Sequence, residues 1–220
     1  MTGYKAVIFD FDGTLADTSE GIFNSIRYVE RMLNFPLSSD KQKMSHIGPP
    51  IEEAYSKTFG IKGDLLQQAI LYHKQYSLEK GMYELSFYPG IKDILVYFHD
   101  REIKVGIATL KIEDTMKKII ELNNIQKYFD TVVGIQPNSP SSKKDVIMRC
   151  ISHLGCNIGD CLLVGDSVFD AIGAMEVGID FIGVTYGFGF KKVEEMGSYK
   201  YIGCAKNPDE LLQILRDIFM

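Results

Sequence analysis

Short hydrophobic runs alternate with stretches of helical periodicity over most of the chain. Five runs are apolar on both faces, as strands of a covered parallel sheet must be: Ala6–Phe9, Val105–Ala108, Thr131–Val133, Leu162–Val164 and Phe181–Val184. Amphipathic helices lie between them, with apolar residues at i, i+3, i+4 and i+7, as in Ile91, Ile94, Leu95 and Phe98 or Leu211, Ile214, Leu215 and Ile218. The alternation predicts an α/β fold with a doubly wound, Rossmann-like and mostly parallel sheet.

One long segment interrupts this alternation. Residues 17–84 show helical patterns and no convincing strand, with Ile22, Ile26, Val29 and Leu33 on one face and a further helix over Leu65–Lys80. We therefore expect an all-helical domain at 17–84, inserted into a core domain of residues 1–16 and 85–220.

Composition excludes several classes of protein. Among 220 residues, 45% are hydrophobic and 24% charged, as in ordinary globular proteins, and the net charge is −5 without a basic run. Nucleic-acid binding needs clustered positive charge, which this sequence lacks. No apolar stretch approaches the length of a membrane span, so a membrane protein is not expected. We expect a soluble, cytoplasmic monomer or homodimer whose four cysteines (Cys150, Cys156, Cys161 and Cys204) are buried, reduced thiols.

Acidic residues follow two of the predicted strands, and a threonine follows a third. Asp10 and Asp12 come after the first strand, Thr109 after the second, and Asp166 and Asp170 after the fourth. Ligands of open α/β sheets bind beyond the carboxyl ends of the strands, so these groups should converge. Clustered carboxylates repel one another, and a cation relieves that repulsion. Oxygen ligands of this kind suit Mg²⁺.

The motifs Asp10-Phe11-Asp12-Gly13-Thr14-Leu15 and Val164-Gly165-Asp166-Ser167-Val168-Phe169-Asp170 resemble those of the haloacid dehalogenase superfamily of phosphotransferases. The similarity runs from Lys5 to Phe219 and is strongest to the phosphoglycolate phosphatase-like branch. That branch carries a helical cap where residues 17–84 lie here, a turn similar to Ile47-Gly48-Pro49-Pro50, and a loop similar to Gly187-Phe188-Gly189.

The resemblance implies a role for each motif residue. Asp10 would be the nucleophile that forms an aspartyl-phosphate, and Asp12 the general acid and base. Thr109 and the backbone N–H of Leu110 would bind the phosphoryl group. The metal Mg²⁺ would be held by Asp10, the carbonyl of Asp12, and Asp166, with Asp170 in or just behind the coordination shell.

A lysine should balance the negative charge of the phosphate. The resemblance places it at a helix start, where Lys143 is favoured by its three-residue offset to Val146. Lys144 is the alternative, and Lys111 is a more distant one. Leu110 stands where relatives often carry a polar residue, so a side-chain contact to substrate is lost there. His46 in the cap turn is expected at the surface, and His73 on the solvent side of its helix.

The expected function is hydrolysis of a small phosphomonoester, such as phosphoglycolate, with Mg²⁺ as cofactor. A 5′-nucleotidase, a pyrophosphatase and a phosphosugar mutase are alternatives within the superfamily. A hydrolytic dehalogenase does not need Asp12 and is disfavoured. A signalling receiver domain is disfavoured, because receivers are near 120 residues and lack a helical insertion. An inactive binding module is also disfavoured, because it would have lost a catalytic residue and every motif position is filled here.

Overall fold

The computed structural model describes residues 3–136 and 142–219. Contacts divide the chain into two compact units. Unit 1 comprises Met1–Ala16 and Phe87–Met220, and unit 2 comprises Asp17–Ser86. The chain therefore leaves unit 1 after the first strand and returns to it about seventy residues later.

The strands and helices of the described residues are numbered here in chain order. The strands are β1 (Ala6–Phe9), β2 (Ala16–Asp17), β3 (Ser86–Phe87), β4 (Lys104–Ile112), β5 (Thr131–Ile135), β6 (Cys161–Gly165), β7 (Asp180–Val184) and β8 (Gly203–Ala205). The α-helices are α1 (Ser19–Met32), α2 (Asp40–Met44), α3 (Ile51–Phe59), α4 (Gly63–Glu79), α5 (Ile91–His99), α6 (Glu113–Leu122), α7 (Lys143–Leu154), α8 (Val168–Val177) and α9 (Pro208–Ile218).

Unit 1 is built on a six-stranded sheet with the order β5-β4-β1-β6-β7-β8. The paired strands run parallel, with Ile8 of β1 opposite Gly106 of β4 on one side and Leu163 of β6 on the other. Residues of β1 are fully buried, because helices cover both faces of the sheet. This is the predicted doubly wound α/β fold.

Four strands differ from the prediction, and two of them, the short strands β2 and β3, were not predicted because each has only two residues. The strand expected to end at Ala108 continues as β4 to Ile112, with a register shift against β5 between these two residues. The short edge strand β8 was not predicted, since Gly203-Cys204-Ala205 contains neither a β-branched nor an aromatic residue. The extension of β4 matters for function because Thr109 and Lys111 lie within it.

The predicted helix faces of unit 1 are present. All four apolar residues singled out in α5 are buried. The helix α9 begins as its sequence indicates, with the side chain of Asn207 accepting a hydrogen bond from the N–H of Glu210 and Pro208 in the first turn.

Unit 2 contains α1 to α4 around its own small core. The buried residues of this core are Ile26, Val29, Tyr55, Ile61 and Ala69. The hydroxyl of Tyr55 also forms a hydrogen bond with Nδ1 of His73, with 2.9 Å between the two atoms. His73 is half-buried, so it does not simply face the solvent.

The prediction for His46 was wrong. Its side chain is buried rather than at the surface, with its ring centroid 4.9 Å from that of Tyr55 and 6.1 Å from that of Phe59. Burial lowers the pKa of His46 to about 4, so the ring is neutral near pH 7.

All four cysteines are free thiols, but only two are buried. Cys150 and Cys161 are buried, whereas Cys156 and Cys204 are half-buried. Across the described ranges, no helix is both long enough and apolar enough to cross a membrane.

Candidate active site

Three neighbouring strands of unit 1 bring the predicted site residues to one edge of the sheet. Asp10 directly follows β1, and its N–H donates to Val164 O of β6 at 2.9 Å. Asp166 directly follows β6, and Thr109 lies near the end of β4. Because β1 lies between β4 and β6 and the pairs are parallel, these three ends are adjacent.

Lys143 enters the same cluster from the first position of α7. Its Nζ lies 2.5 Å from Asp10 Oδ1 and 2.6 Å from Asp170 Oδ1, and the three side chains are at most 10% exposed. The neighbouring Lys144 is exposed. Of these two adjacent lysines, the structure therefore brings Lys143, not Lys144, to the carboxylates.

Local packing explains how a buried lysine reaches this position. Ser142 caps α7 through hydrogen bonds exchanged with Asp145, which fixes where the helix starts. The stem of Lys143 lies against α8 at Gly173, where an added Cβ would be 2.8 Å from Lys143 Cγ. A larger residue at 173 would displace the lysine from the carboxylates.

Two carboxylates contact this ammonium group, and a third lies beside them. Asp10, Asp166 and Asp170 each place an oxygen within 4.8 Å of the others. Asp170 Oδ2 accepts hydrogen bonds from the N–H and hydroxyl of Ser167, at 3.0 and 2.6 Å. Asp170 Oδ1 is close to Lys143 but receives no well-aligned hydrogen bond from any described residue.

The electrostatics reflect this excess of negative charge. Burial raises the pKa of Asp10 well above the usual carboxyl range, and Asp170 and Asp166 raise it further, while Lys143 opposes the shift. Burial and the charge of Asp170 raise the pKa of Asp166 to about 7. Burial alone would lower the pKa of Lys143, but Asp10 and Asp170 raise it above the usual lysine value.

This donor set fits a small divalent cation. Mg²⁺ prefers hard carboxylate oxygens as ligands. Three ionised carboxylates and one ammonium group leave a net charge of −2, which the two positive charges of Mg²⁺ would balance. Asp170 Oδ1 is also a buried oxygen, paired with the Lys143 ammonium at 2.6 Å, and a carboxylate oxygen has a further lone pair for a cation. Asp10, Asp166 and Asp170 could therefore hold Mg²⁺.

Asp12 is separated from that cluster and has its own partner. Its two carboxylate oxygens lie 2.9 and 3.1 Å from the Nζ of Lys111. The sequence offers Lys111 only as a more distant alternative to Lys143, but in the structure Lys111 pairs with Asp12. The signal was available in Thr109-Leu110-Lys111, since residues two apart on a strand point to the same side, and here that side faces the turn after β1 that carries Asp12.

Thr109 is buried, and its Oγ1 accepts the N–H of Lys111 at 3.2 Å. Within residues 3–136 and 142–219 its hydroxyl donates to no other group, so the proton can serve a ligand. Leu110 is half-buried, and its side chain packs against the core cluster that includes Ile8 and Ala108. The Leu110 side chain therefore belongs to the core, consistent with a role only for its backbone.

A further set of donors was missed from the sequence. Asp166 Oδ2 accepts the N–H groups of Phe188 and Gly189, at 2.6 and 2.8 Å. The Gly187-Phe188-Gly189 motif was noted only as a similarity to other proteins, although closely spaced glycines after a strand often mark a close backbone approach.

Comparison with known proteins agrees with this geometry. The family described as haloacid dehalogenase-like hydrolase matches residues 7–184. A predicted phosphatase from Clostridium acetobutylicum, known from its crystal structure, is 31% identical with a TM-score of 0.90, covering 97% of this chain and 99% of that one.

Two curated relatives have different activities in their names. Tyrosine-protein kinase PtkA from Mycobacterium tuberculosis is 29% identical over 212 residues, which cover 96% of this chain and 72% of that protein. A 5′-nucleotidase from Pseudomonas aeruginosa is 28% identical over 188 residues, covering 84% and 85%. The chain belongs to the haloacid dehalogenase-like hydrolase family. Its fold, its site and its relatives define it as an enzyme of the phosphatase class in that family.

Proposed function

We propose that this enzyme is a Mg²⁺-dependent phosphatase that hydrolyses a small phosphomonoester through an aspartyl-phosphate on Asp10. The observation that carries the proposal is the contact of Asp10 with Lys143 inside a group of three buried carboxylates. A lone nucleophilic carboxylate would not need a buried lysine and two further acids around it.

The chemistry divides among three residues of the chain. A carboxylate oxygen of Asp10 attacks phosphorus, the bond from phosphorus to the leaving oxygen breaks, and Asp12 gives that oxygen a proton. Asp12 then accepts a proton from water as the water oxygen attacks the phosphorus. This second step releases inorganic phosphate and regenerates the Asp10 carboxylate.

The surrounding groups bind and orient the phosphoryl group. The free hydroxyl proton of Thr109 and the backbone N–H of Leu110 donate to its oxygens, and the ammonium of Lys143 stabilises its charge. Asp10, Asp166, Asp170 and the Asp12 carbonyl would hold the metal, which when bound neutralises charge on the carboxylates and the phosphate.

The helical unit 2 serves in this proposal as a cap that selects the organic part of the substrate. This role is supported by the compactness of unit 2 and by its separate core. The sequence of unit 2 can therefore vary without altering the sheet that carries the catalytic groups. The proposed substrate class is therefore phosphoglycolate-like monoesters, with nucleotides, pyrophosphate and phosphosugars as outcomes that a substrate panel would distinguish. The proposed setting is the cytoplasm, without nucleic acid or membrane partners.

The deciding experiment separates Asp10 from Asp12. Each variant is mixed with p-nitrophenyl phosphate and Mg²⁺, the reaction is quenched in acid, and the intact mass of the protein is measured by mass spectrometry. We expect Asp12→Ala to accumulate a phosphate adduct, because p-nitrophenolate leaves without a proton while the second step still needs a base. We expect no adduct on Asp10→Asn, which lacks the nucleophile.

Two controls accompany this measurement. Release of free phosphate by the unmodified enzyme distinguishes transfer to water from transfer to a tyrosine hydroxyl, the reaction named for one of the relatives. An adduct on Asp10→Asn that maps to another side chain would refute the assignment of the nucleophile. Full turnover in excess chelator would refute the requirement for a metal.

A further inference from the structure

The loop that follows β7 folds back onto Asp166. The backbone N–H groups of three consecutive residues donate to this one aspartate: Phe188 and Gly189 to Oδ2 at 2.6 and 2.8 Å, and Phe190 to the carbonyl O at 2.7 Å. Successive backbone N–H groups that converge in this way form an anion-binding concavity, and here the anion is the carboxylate of the chain itself.

Glycine is required on both sides of this carboxylate. A Cβ at Gly189 would lie 2.5 Å from Asp166 O and 2.7 Å from Ser167 Cα, which are backbone atoms that cannot rotate away. A Cβ at Gly187 would overlap the carbonyl of Gly13 and the Asp166 side chain. Gly13 itself has φ +85°, and a Cβ there would overlap Asp166 Oδ2. The loop can reach Asp166 only because these three positions lack side chains.

The loop is also anchored beyond Asp166. The hydroxyl of Tyr186 donates to Thr14 O at 2.9 Å, in the turn that follows Asp12, and Lys191 Nζ donates to Gly187 O. The backbone of the loop is therefore held on the β1 side as well as on the β6 side, and its N–H groups have a fixed direction.

We propose that the Gly187–Gly189 loop is a positioning element that orients Asp166 as a metal ligand. This inference rests on the proposed function, in which Asp166 binds a divalent cation. Two N–H donors occupy the lone pairs of Oδ2, so Oδ1 is left to face the cation and the carboxylate cannot rotate. Partners of this kind behind a metal ligand typically change metal affinity or activity about 10–100-fold when they are removed.

The test measures metal binding directly, with Mn²⁺ as the probe and the free ion followed by electron paramagnetic resonance. The variant is Gly189→Ala, whose Cβ forces the loop away from Asp166. The matched control is Gly159→Ala, since an added Cβ at Gly159 has nothing within 4 Å. We expect the Mn²⁺ dissociation constant to rise about 10–100-fold in Gly189→Ala and to stay at the unmodified value in Gly159→Ala.

A second readout distinguishes positioning from general damage to the fold. If the loop only orients Asp166, the Mg²⁺ concentration for half-maximal turnover rises in Gly189→Ala, and kcat recovers at saturating Mg²⁺. A Gly189→Ala enzyme that binds Mn²⁺ as tightly as the unmodified enzyme would overturn the inference.

The Asp166→Asn variant separates this inference from the proposed function on which it rests. If Asp166→Asn binds Mn²⁺ as tightly as the unmodified enzyme, Asp166 is not a ligand and the metal assignment itself fails. If Asp166→Asn loses affinity while Gly189→Ala keeps it, only the role of the loop fails.

An ester in place of the peptide bond decides the matter if Gly189→Ala does not fold. Incorporating glycolic acid at position 189 removes the N–H without adding a Cβ. The same weakening of Mn²⁺ binding is expected from this variant, and unchanged binding would overturn the inference.

Discussion

Replacing Lys143 by methionine removes one charge from the centre of the site and changes the side-chain volume little. In the structure the lysine Nζ lies 2.5 Å from Asp10 and 2.6 Å from Asp170, and its side chain is 5% exposed. The methionine would leave these carboxylates buried without a cation. The matched control is Lys144→Met, in which the exposed neighbouring lysine undergoes the same chemical change.

The magnitude follows from the burial of the pair. Removing one partner of a buried ion pair costs about 3–5 kcal/mol, because the other charge stays uncompensated. A surface substitution such as Lys144→Met should change the free energy of unfolding by less than about 0.5 kcal/mol. The destabilisation of Lys143→Met should be largest near pH 8 and smaller near pH 5, since the pKa of Asp10 is already raised and protonation removes the uncompensated charge.

The assay is urea unfolding of both variants in chelator, at pH 8 and pH 5, together with phosphate release in Mg²⁺. Loss of one charged donor to the phosphoryl group should lower kcat of Lys143→Met about 10²–10³-fold, and Lys144→Met should keep its activity. Equal unfolding free energies for the two variants at pH 8 would refute the idea that Lys143 compensates the carboxylates. Equal activities would refute its role toward the phosphate.

Two further predictions concern His46 and Lys111. Because burial lowers the pKa of His46 from 6.5 to about 4, the unfolded state binds a proton more readily, and stability is lost as the pH falls below 6.5. Between pH 7 and pH 5 the unmodified protein should lose about 2 kcal/mol more than His46→Phe in urea titrations, and parallel pH profiles would contradict this. Lys111→Met removes the ion pair that positions the Asp12 side chain, so it should lower kcat about tenfold on an alkyl phosphate and less on p-nitrophenyl phosphate. An equal loss on both substrates would show that Lys111 does not act through Asp12.

The sheet could be predicted because its strands are apolar on both faces, a pattern that depends only on nearby residues. The end of β4 could not be predicted in the same way. Thr109 and Lys111 are polar, so the apolar pattern ends at Ala108, but their backbones continue the strand while their side chains serve the site. Polar residues at a functional strand end thus hide the true length of that strand.

The candidate site was predictable to the extent that topology brings strand ends together. Asp10, Asp166 and Asp170 meet for that reason. The lysine was expected from the family resemblance, and the three-residue offset to Val146 favoured Lys143 over Lys144. The burial of His46 was not predictable, since it depends on rings that a different helix supplies. The N–H groups that bind Asp166 belong to the backbone, which carries no side-chain signal beyond the glycines that let it approach.

The junction between the two units has a consequence for how the chain folds. The segments that enter and leave unit 2 pair as the two-stranded sheet of β2 and β3, so the ends of a seventy-residue insertion lie side by side. The parallel pairing of β1 with β4 requires closing a loop across that insertion. Residues 10–103 separate β1 from β4, and a folded unit 2 removes its own seventy residues from that loop. Loop-closure entropy grows with the logarithm of loop length, so shortening the loop from about 94 residues to about 24 lowers the cost by about 1 kcal/mol. Once unit 2 is folded, the central strands of unit 1 need only close that shorter loop, which favours a folding order in which the insertion precedes the domain that surrounds it.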